Sequence, residues 1–462
     1  MTNTKQLGFW MCLALVVGNM IGSGVFMLPA SLAPYGLNSV LGWVLTAAGS
    51  ILLASVFSTL SRRFPQANGP YAYTRMAFGD LTGFVAIWGY WVAVWVGNAA
   101  VATAAVSYLS NLLPWIAKVP GASMAVTLGF VWLFTAINLR GARQAGKVQV
   151  VTTALKLLPL IAVGGLGIYL WVSGDGRMDT AALHNHSFEL SAVTASATLT
   201  LWAFLGLESA AVASERVIDP ERNIPRATLW GTLIAAAVYI VSCTVILLLI
   251  PSEQLAVSNA PFSDAVALFW GDNAGHWIAL FAAISALGAL SGWILVQGEL
   301  PYQMANAGVF PKFFSKTNAR GAPVAGLLVS GVLLSIVVLT NGGKSLVQVF
   351  TFLLLISTSA TLVMYLLCAL SALVLHFRGR LQMKTGFLAA VIIAALGSLY
   401  ALWALIGAGQ EAIVWGFVLL GMAVPIYYLS QRRYWAFLTA AVLWLLTPLA
   451  ILFFSWLSRG SL

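Results

Sequence analysis

A carboxylate interrupts a hydrophobic segment of the chain, Leu199–Ala210, whose sequence is LTLWAFLGLESA. The carboxylate belongs to Glu208, two residues after Gly206. Glycine in a helix interior costs about 1 kcal/mol relative to alanine. An ionisable group at bilayer depth is also costly, so it persists mainly where it faces a water-filled path or a partner. This stretch therefore predicts a membrane helix that is interrupted at a functional site.

The composition of the whole chain agrees with a membrane setting. Of its 462 residues, 60% are hydrophobic and 8% are charged, whereas a soluble domain carries about 25% charged residues. The net charge of +10 does not indicate nucleic-acid binding, because the basic residues recur in short clusters between apolar runs. The predicted fold class is an all-α polytopic membrane protein.

Thirteen apolar stretches are long enough to cross a bilayer as helices. If the N-terminus is cytoplasmic, the 23 lysines and arginines divide into eighteen on the inner side, four on the outer side and Lys156 within a span. Orientation follows such a bias in short loops, so we predict this topology and leave open whether the last segment crosses. The predicted spans lie near 8–32, 39–60, 80–110, 121–139, 149–173, 190–213, 227–250, 274–299, 324–341, 346–376, 386–408, 411–430 and 435–457.

Three ionisable side chains fall within or close to these spans: Glu208, Glu299 and Lys156. Glu208 is interpreted as functional. Glu299, just before Pro301, is either a solvated helix-end carboxylate or a functional group. Lys156 either extends to the cytoplasmic headgroups or projects into the bundle and donates to backbone carbonyls of a broken helix. The sequence leaves the last two alternatives open.

A second interruption lies in the first span, within Gly18–Phe26 (GNMIGSGVF). Unwinding at Gly22-Ser23-Gly24 would free backbone groups, which membrane depth tolerates only where they line a cavity or are buried in protein. The alternative is close helix packing through small residues, since Gly18 and Gly22 have the spacing of such contacts. Two interrupted segments in corresponding halves of a chain are typical of a transporter's binding site.

Other classes of function find less support in the residues. The four histidines show no metal-ligand spacing, no phosphate-binding glycine loop follows a strand, and no Ser/His/Asp arrangement suggests hydrolysis. We therefore expect no metal, no cofactor and no enzyme activity. An intramembrane enzyme would need a cluster of catalytic groups at one face, and His376 near Arg378 is a poor candidate. A channel fits the broken helices less well than a closed midplane site.

The chain resembles the amino acid–polyamine–organocation (APC) transporters, most closely the branch of bacterial arginine/agmatine antiporters and their putrescine/ornithine relatives. The resemblance extends from Leu7 to about Arg433. Its most specific stretches are Gly18–Ala30 (GNMIGSGVFMLPA), Gly69–Tyr73 (GPYAY) with Phe78-Gly79, Leu201–Ala210 (LWAFLGLESA), Asn223–Thr228 (NIPRAT) and Ala307–Pro311 (AGVFP).

This resemblance implies a particular architecture. Ten core helices would form two inverted five-helix repeats, as in LeuT-like bundles, followed by two or three further helices. The transporter unit would cover residues 1–433, and residues 434–462 would add an extra hydrophobic segment that departs from the family's usual twelve spans. The repeats would lie at about 8–173 and 190–376, and the additional helices at about 386–430.

The resemblance also implies a substrate site. Ser23 and neighbouring backbone would bind an α-carboxylate, and backbone carbonyls between Trp202 and Leu205 would bind an α-amino group. Trp293 would stack on the substrate side chain, Asn98 would reach its far end, and Ser357 would supply a hydroxyl. The complete implied set is Asn19, Met20, Gly22, Ser23, Gly24, Ala93, Val94, Asn98, Trp202, Leu205, Trp293 and Ser357.

Further roles carried over from the family concern gating and pH response. Tyr71 resembles a residue linked to pH response near the inner side, and Asn19 one that influences release. The implied outer gate residues are Tyr90, Trp202, Glu208 and Tyr365. Lys156 and Glu299 depart from the arginine/agmatine pattern, although Lys156 resembles a lysine of proton-coupled relatives. Both are therefore candidates for coupling.

The sequence thus predicts a secondary amino acid transporter that works by alternating access in the bacterial inner membrane. The favoured mode is exchange of cationic substrates such as arginine and agmatine. The alternative is a proton-coupled amino acid symporter of broader specificity. The expected partners are a small amino acid or polyamine and membrane lipid, but not nucleic acid. Whether two copies associate stays open.

Overall fold

The computed structural model describes residues 8–22, 24–64, 69–140, 142–174, 176, 178, 187–208, 217–381 and 387–444. Over these residues the chain is built mainly of helices and turns, and an isolated bridge joins Thr317 and Pro323. In chain order the helices are α1 Phe9–Met20, α2 Gly24–Leu32, α3 Asn38–Arg63, α4 Gly69–Phe78, α5 Asp80–Leu112, α6 Trp115–Lys118, α7 Ala122–Leu139, α8 Ala142–Ser173, α9 Leu190–Leu201, α10 Pro220–Leu249, α11 Ser252–Ala256, α12 Pro261–Asn306, α13 Val324–Thr340, α14 Leu346–Phe377, α15 Phe387–Ile406, α16 Gln410–Gly421, α17 Ala423–Ser430 and α18 Tyr434–Trp444. Short 3₁₀ turns cover Ala33–Tyr35, Trp202–Phe204 and Lys312–Ser315.

The helices have the length and composition of membrane spans, which confirms the predicted all-α polytopic class. Within the described ranges, nine spans are long and apolar enough to cross a bilayer if α16 and α17 are counted as one, and α1 with α2 makes a tenth if the broken pair is one span. The shorter helices α9 and α13 occupy two further predicted spans. Of the predicted span 435–457, α18 covers the beginning, and residues 445–457 lie outside the described residues.

Helix α5 lies at the centre of the bundle, between α12 and α14. Its most apolar stretch is 94% buried, whereas the corresponding stretch of the peripheral α7 is 28% buried. Small residues on α5, such as Ala99, Ala100 and Ala104, are completely buried, and small side chains let membrane helices approach closely. A cavity beside α5 therefore lies inside the bundle and not on its lipid-facing surface.

The first predicted interruption lies between α1 and α2. Helix α1 ends at Met20, because Ile21 adopts a non-helical ψ of 83°. Helix α2 begins at Gly24. Between them, the Gly22 amide donates to the Met20 carbonyl at 2.8 Å. Ser23 lies outside the described residues.

The second interruption begins earlier than predicted. Helix α9 ends at Leu201, the 3₁₀ turn Trp202–Phe204 follows, and Leu205 is extended with ψ 134°. The sequence points to Gly206 because glycine weakens helices. Gly206 instead lies inside the unwound segment and adopts a positive φ of 108°. A Cβ added at Gly206 would lie 3.1 Å from the Asn19 Cβ. The two interruptions therefore touch each other.

Helix α12 also differs from its predicted span at 274–299. It begins at Pro261, and Gly271 adopts φ 79° and ψ 169°, which breaks the helix into a short first section and a long second one. The predicted span corresponds to the second section.

Candidate functional site

A cavity lies where the two interrupted spans meet α5, α12 and α14. Its volume is about 50 Å³, several times the space that one buried water needs. It is lined by Asn19, Met20, Gly22, Gly24, Tyr90, Ala93, Val94, Gly97, Asn98, Val101, Trp202, Ala203, Leu205, Glu208, Ala289, Trp293, Ser357 and Thr361. Every residue of the predicted binding set lines this cavity, except Ser23, which falls outside the described ranges.

Glu208 supplies the carboxylate of the cavity and is 1% exposed. Its Oε1 accepts a hydrogen bond from the Tyr90 hydroxyl at 2.9 Å, and its Oε2 accepts one from the Tyr365 hydroxyl at 2.7 Å. The Gly206 amide also donates to Oε2 at 3.2 Å. A buried carboxylate requires such donors. The two tyrosine bonds connect the unwound segment to α5 and to α14, and the Gly206 bond lies within the segment.

Tryptophan rings form much of the apolar wall. Trp202 is stacked on Phe350, with ring centroids 6.3 Å apart and an interplanar angle of 21°. A Cβ on Gly24 would lie 3.8 Å from the Trp202 ring, so the glycine places the start of α2 directly beside this ring. Trp293, from α12, is partly buried and lines the cavity. Aromatic faces of this kind attract cations and pack on aliphatic chains.

The polar groups opposite these rings come from α5 and α14. The Ser357 hydroxyl donates to the Ala93 carbonyl at 2.7 Å, which connects the two helices at the cavity wall. Asn98 is 1% exposed, and its Nδ2 donates to Gln297 Oε1 at 2.7 Å.

Lys156 lies outside the cavity but contacts the first interruption. Its side chain is 1% exposed, and its Nζ donates to the Gly18 carbonyl at 2.9 Å. Of the two arrangements that the sequence leaves open for Lys156, this one has the ammonium inside the bundle. Carbonyls in the last turn of α1 lack the usual amide donor four residues later, because the helix ends. Lys156 supplies a donor to the Gly18 carbonyl instead.

The other predicted gating and coupling residues lie at varying distances from the cavity. Tyr365 contacts Glu208 but is not a lining residue. Glu299 is half-buried on α12 and does not line the cavity. Tyr71 lies on the short helix α4, with the Arg75 guanidinium 5.9 Å from its ring centroid and Arg75 in turn paired with Asp80.

Several residues that line the cavity are not predicted from the sequence. Gly97, Val101, Ala203, Ala289 and Thr361 are small or apolar residues in apolar helices, and no local signal distinguishes them from packing residues. Gln297 does carry a signal, because it is a polar side chain in the middle of an apolar span. It is completely buried and bonds to Asn98 behind the cavity wall.

Together these groups suit a small amphipathic ligand with a positive charge. The cavity combines one carboxylate, two amide side chains, three hydroxyl-bearing side chains and two indole rings. Ligand sites typically pair a mostly apolar lining with a few convergent polar groups. Freed backbone groups at the interruptions add donors and acceptors for the ligand's own polar ends.

The chain is similar in sequence to known proteins over most of its length. A family model described as amino acid permease matches residues 7–430. A provisionally named arginine/ornithine antiporter of Bacillus subtilis (strain 168) is 34% identical over 438 residues, covering 88% of this chain and 92% of the relative. The putrescine transporter PotE of Escherichia coli (strain K12) is 33% identical, covering 93% of this chain and 97% of the relative. The cadaverine/lysine antiporter of the same strain is 31% identical, covering 94% and 96%.

Proposed function

The chain belongs to the amino acid permease family, and from this premise we propose that it is a secondary transporter that exchanges a cationic amino acid for an amine by alternating access. The three relatives named above are a provisionally named arginine/ornithine antiporter, a putrescine transporter and a cadaverine/lysine antiporter. Their names support a role in transport rather than catalysis, and substrates with one or two amino or guanidino groups.

One observation carries the proposal: the two interrupted spans meet at a cavity that contains a buried carboxylate. Gly206 lies against Asn19, and Glu208 lines the space beside them. Interrupted membrane helices are tolerated where their freed backbone groups line a cavity. A site of this kind, enclosed at the junction of two broken helices, suits alternating access.

The binding roles follow from the chemistry of the lining. The start of α2 at Gly24 offers amide donors for a carboxylate, and carbonyls of the unwound segment from Trp202 to Leu205 would accept from an amino group. Trp293 would pack on the aliphatic part of the substrate, and Asn98 and Ser357 would contact its far end. Trp202 and the Tyr90–Glu208–Tyr365 group would close the outer side.

Lys156 favours a second candidate, a proton-coupled symporter of broader specificity. Its amine contacts the Gly18 carbonyl at the end of α1, so loss of its proton would alter the support of the first interruption. Proton release at that contact could then be coupled to movement of α1. Glu299, half-buried on α12, is the other candidate for coupling.

The same proposal includes the orientation and the internal repeat. The bias of lysine and arginine towards one side supports a bacterial inner-membrane location with a cytoplasmic N-terminus. The corresponding positions of the interruptions, in α1–α2 and in the segment after α9, support two repeats at about 8–173 and 190–376.

Reconstitution into liposomes tests the mode of transport. The vesicles are loaded with arginine, agmatine, lysine, putrescine or buffer alone, and uptake of labelled arginine is measured at acidic and neutral pH. Exchange requires an internal substrate. Uptake into empty vesicles that follows a proton gradient would favour the symporter, and the absence of uptake under every condition would contradict the cationic substrate.

A pair of tryptophan variants on α12 tests the site within the same assay. Trp293→Ala should weaken arginine exchange by about tenfold or more, because the substrate loses a stacking surface. Trp277→Ala makes the same change at a side chain that is 61% exposed, and it should retain exchange. Equal activity of both variants would remove Trp293 from the site.

A further inference from the structure

A glycine on the central helix faces the cavity. Gly97 lies in the middle of α5 and lines the cavity, as do Ser357 and Trp202. Its φ is not positive, so the backbone conformation does not require glycine at this position. Glycine also weakens a helix interior relative to alanine. The reason for this residue is therefore the side chain that it lacks.

A methyl group at Gly97 would stand among groups that line the cavity. An added Cβ would lie 3.0 Å from Ser357 Oγ, 3.7 Å from Trp202 Cη2 and 3.8 Å from the Ser357 Cβ. Outside the neighbouring turns of α5, these are the three nearest atoms. The contact with the hydroxyl is tight, and the other two are ordinary van der Waals contacts. Gly97 thus leaves a space of about one methyl group between the Ser357 hydroxyl and the Trp202 ring.

This space lies at the end of the cavity that we assign to the substrate side chain. Asn98 follows Gly97 in the chain, and Ser357 Oγ is the atom nearest to the missing methyl group. The start of α2, our assigned carboxylate site, lies at the other end of the same indole. A Cβ on Gly24 would contact the pyrrole atoms of Trp202, whereas a Cβ on Gly97 would contact Cη2. The indole therefore spans the distance between the two ends of the substrate.

The hydroxyl groups near this space can only accept hydrogen bonds from a ligand. Ser357 Oγ donates to the Ala93 carbonyl at 2.7 Å, and Thr361 Oγ1 donates to the Ser357 carbonyl at 2.9 Å. A carbonyl cannot donate, so each hydroxyl uses its proton in that bond and keeps its lone pairs. Both side chains line the cavity. They favour a head group that donates N–H bonds.

We propose that Gly97 is a specificity-determining residue that makes room for a guanidinium head group. Guanidinium is planar and carries five N–H donors, whereas ammonium is compact. The space left by Gly97 accommodates the wider group, and the hydroxyl oxygens beside it accept its N–H bonds. The inference rests on the proposed function, and it names arginine and its decarboxylated amine as the substrate class.

Arginine and ornithine form a matched pair of ligands, because ornithine is arginine without its amidino group. Their binding to the purified full-length protein is measured by calorimetry in detergent. A change of one methylene in an apolar pocket alters discrimination by about 10- to 200-fold. Gly97→Ala should therefore weaken arginine binding about tenfold or more and change ornithine binding by less than about threefold. Gly129→Ala makes the same change at an exposed position of α7, with nothing within 4 Å of the new Cβ, and should leave both affinities unchanged.

A second comparison separates the space from the hydroxyl. In a Ser357→Ala background the atom at 3.0 Å is absent, so a methyl group at Gly97 cannot act by displacing it. Adding Gly97→Ala to Ser357→Ala should again lower the preference for arginine over ornithine about tenfold. The absence of any further loss would overturn the inference, because the effect of Gly97→Ala would then pass through the hydroxyl. This comparison also decides the matter if Gly97→Ala alone does not fold, since the double variant lacks the tight contact.

The remaining outcomes separate this inference from the proposed function. If Gly97→Ala weakens arginine and ornithine binding equally, or changes neither, Gly97 does not select the head group while cationic binding stands. A wild-type protein that binds ornithine or lysine but not arginine would likewise overturn the inference and leave the proposed function in place. If the wild-type protein binds none of the three amino acids, the proposed function fails, and this inference fails with it.

Discussion

Glu208 joins three parts of the molecule through one side chain. Tyr90 comes from α5, Tyr365 from α14, and the Gly206 amide from the unwound segment after α9. All three groups donate to the carboxylate, so each bond depends on its oxygens remaining acceptors. A proton on Glu208 would turn one oxygen into a donor and break up this arrangement. The acceptor oxygens of this carboxylate therefore hold the unwound segment against α5 and α14.

Glu208→Gln should remove the pH dependence of transport. The glutamine amide cannot gain or lose a proton in the physiological range. Its NH₂ group would face one of the two tyrosine hydroxyls that donate to the carboxylate of Glu208 in the wild type. We expect exchange rates between pH 5 and pH 7.5 that agree within about twofold, measured in liposomes. Glu411→Gln, at an exposed helix start, is the matched control and should keep the wild-type profile. A steep profile in Glu208→Gln would exclude Glu208 as the titrating group.

Tyr71 should influence transport without titrating. Burial raises the pKa of its hydroxyl above the usual value of about 10, although the nearby Arg75 opposes the shift. The hydroxyl thus stays neutral below about pH 10, and the raised pKa reduces stability only above that range. Tyr71→Phe should therefore change the level of exchange but not the midpoint of its pH profile, measured from pH 5 to 8. A displaced midpoint would mean that the hydroxyl takes part in proton sensing.

At the scale of the elements, the two interruptions form one structural unit. The backbone near Asn19 and the unwound segment at Gly206 are in contact, and Trp202 lies beside the start of α2. Lys156 adds a hydrogen bond from α8 to Gly18. Since each broken span supports the other, movement of one should require adjustment of the other.

Gly206→Ala should destabilise this unit by about 1–3 kcal/mol, the cost of holding a non-glycine residue in a sparsely populated backbone region. The added Cβ would also lie 3.1 Å from the Asn19 Cβ at a φ of 108°. The expected result is a lower melting temperature in detergent together with weaker arginine binding. Gly165→Ala, in α8 with nothing within 4 Å of the new Cβ, is the control and should be neutral or slightly stabilising. Wild-type stability of Gly206→Ala would contradict the contact.

At the scale of the whole molecule, α5 is the protein's central scaffold. It supplies Tyr90, Ala93 and Asn98 to the cavity, and it is enclosed by α12 and α14. The peripheral helices instead present large apolar side chains outwards, as Trp171 and Leu399 do. Outward apolar residues match a lipid environment, in which the driving force for helix association is packing rather than burial from water.

The orientation predicts which loops are accessible from outside the cell. Lys118 and Arg380 are both exposed and lie on opposite sides in the predicted topology. A membrane-impermeant maleimide should label Lys118→Cys in intact cells and Arg380→Cys only after permeabilisation. The background should be low, because Cys12, Cys243 and Cys368 are all buried. The opposite labelling pattern would invert the topology.

Most of the fold and much of the candidate site can be read from the sequence. Composition and span length predict the all-α membrane class, because lipid forces backbone groups into internal hydrogen bonds. The cost of a carboxylate in an apolar segment marks Glu208, and the glycines near Gly22 mark the first interruption. The substrate-binding residues carried over from the family resemblance, apart from Ser23, also line the cavity in the described structure.

Tertiary structure alone decided which partner each polar group uses. The sequence leaves Lys156 with two alternatives, and the bundle places its amine on the Gly18 carbonyl. Helix α9 ends at Leu201, ahead of Gly206, and Gly206 lies against Asn19 of the first interruption. The sequence marks Gln297 as a polar residue in a span but does not identify its partner. The packing of α5 against α12 brings the Asn98 and Gln297 side-chain amides within 2.7 Å. Hydrophobicity and backbone cost are properties of a local segment, whereas a hydrogen bond between distant helices depends on how the whole bundle packs.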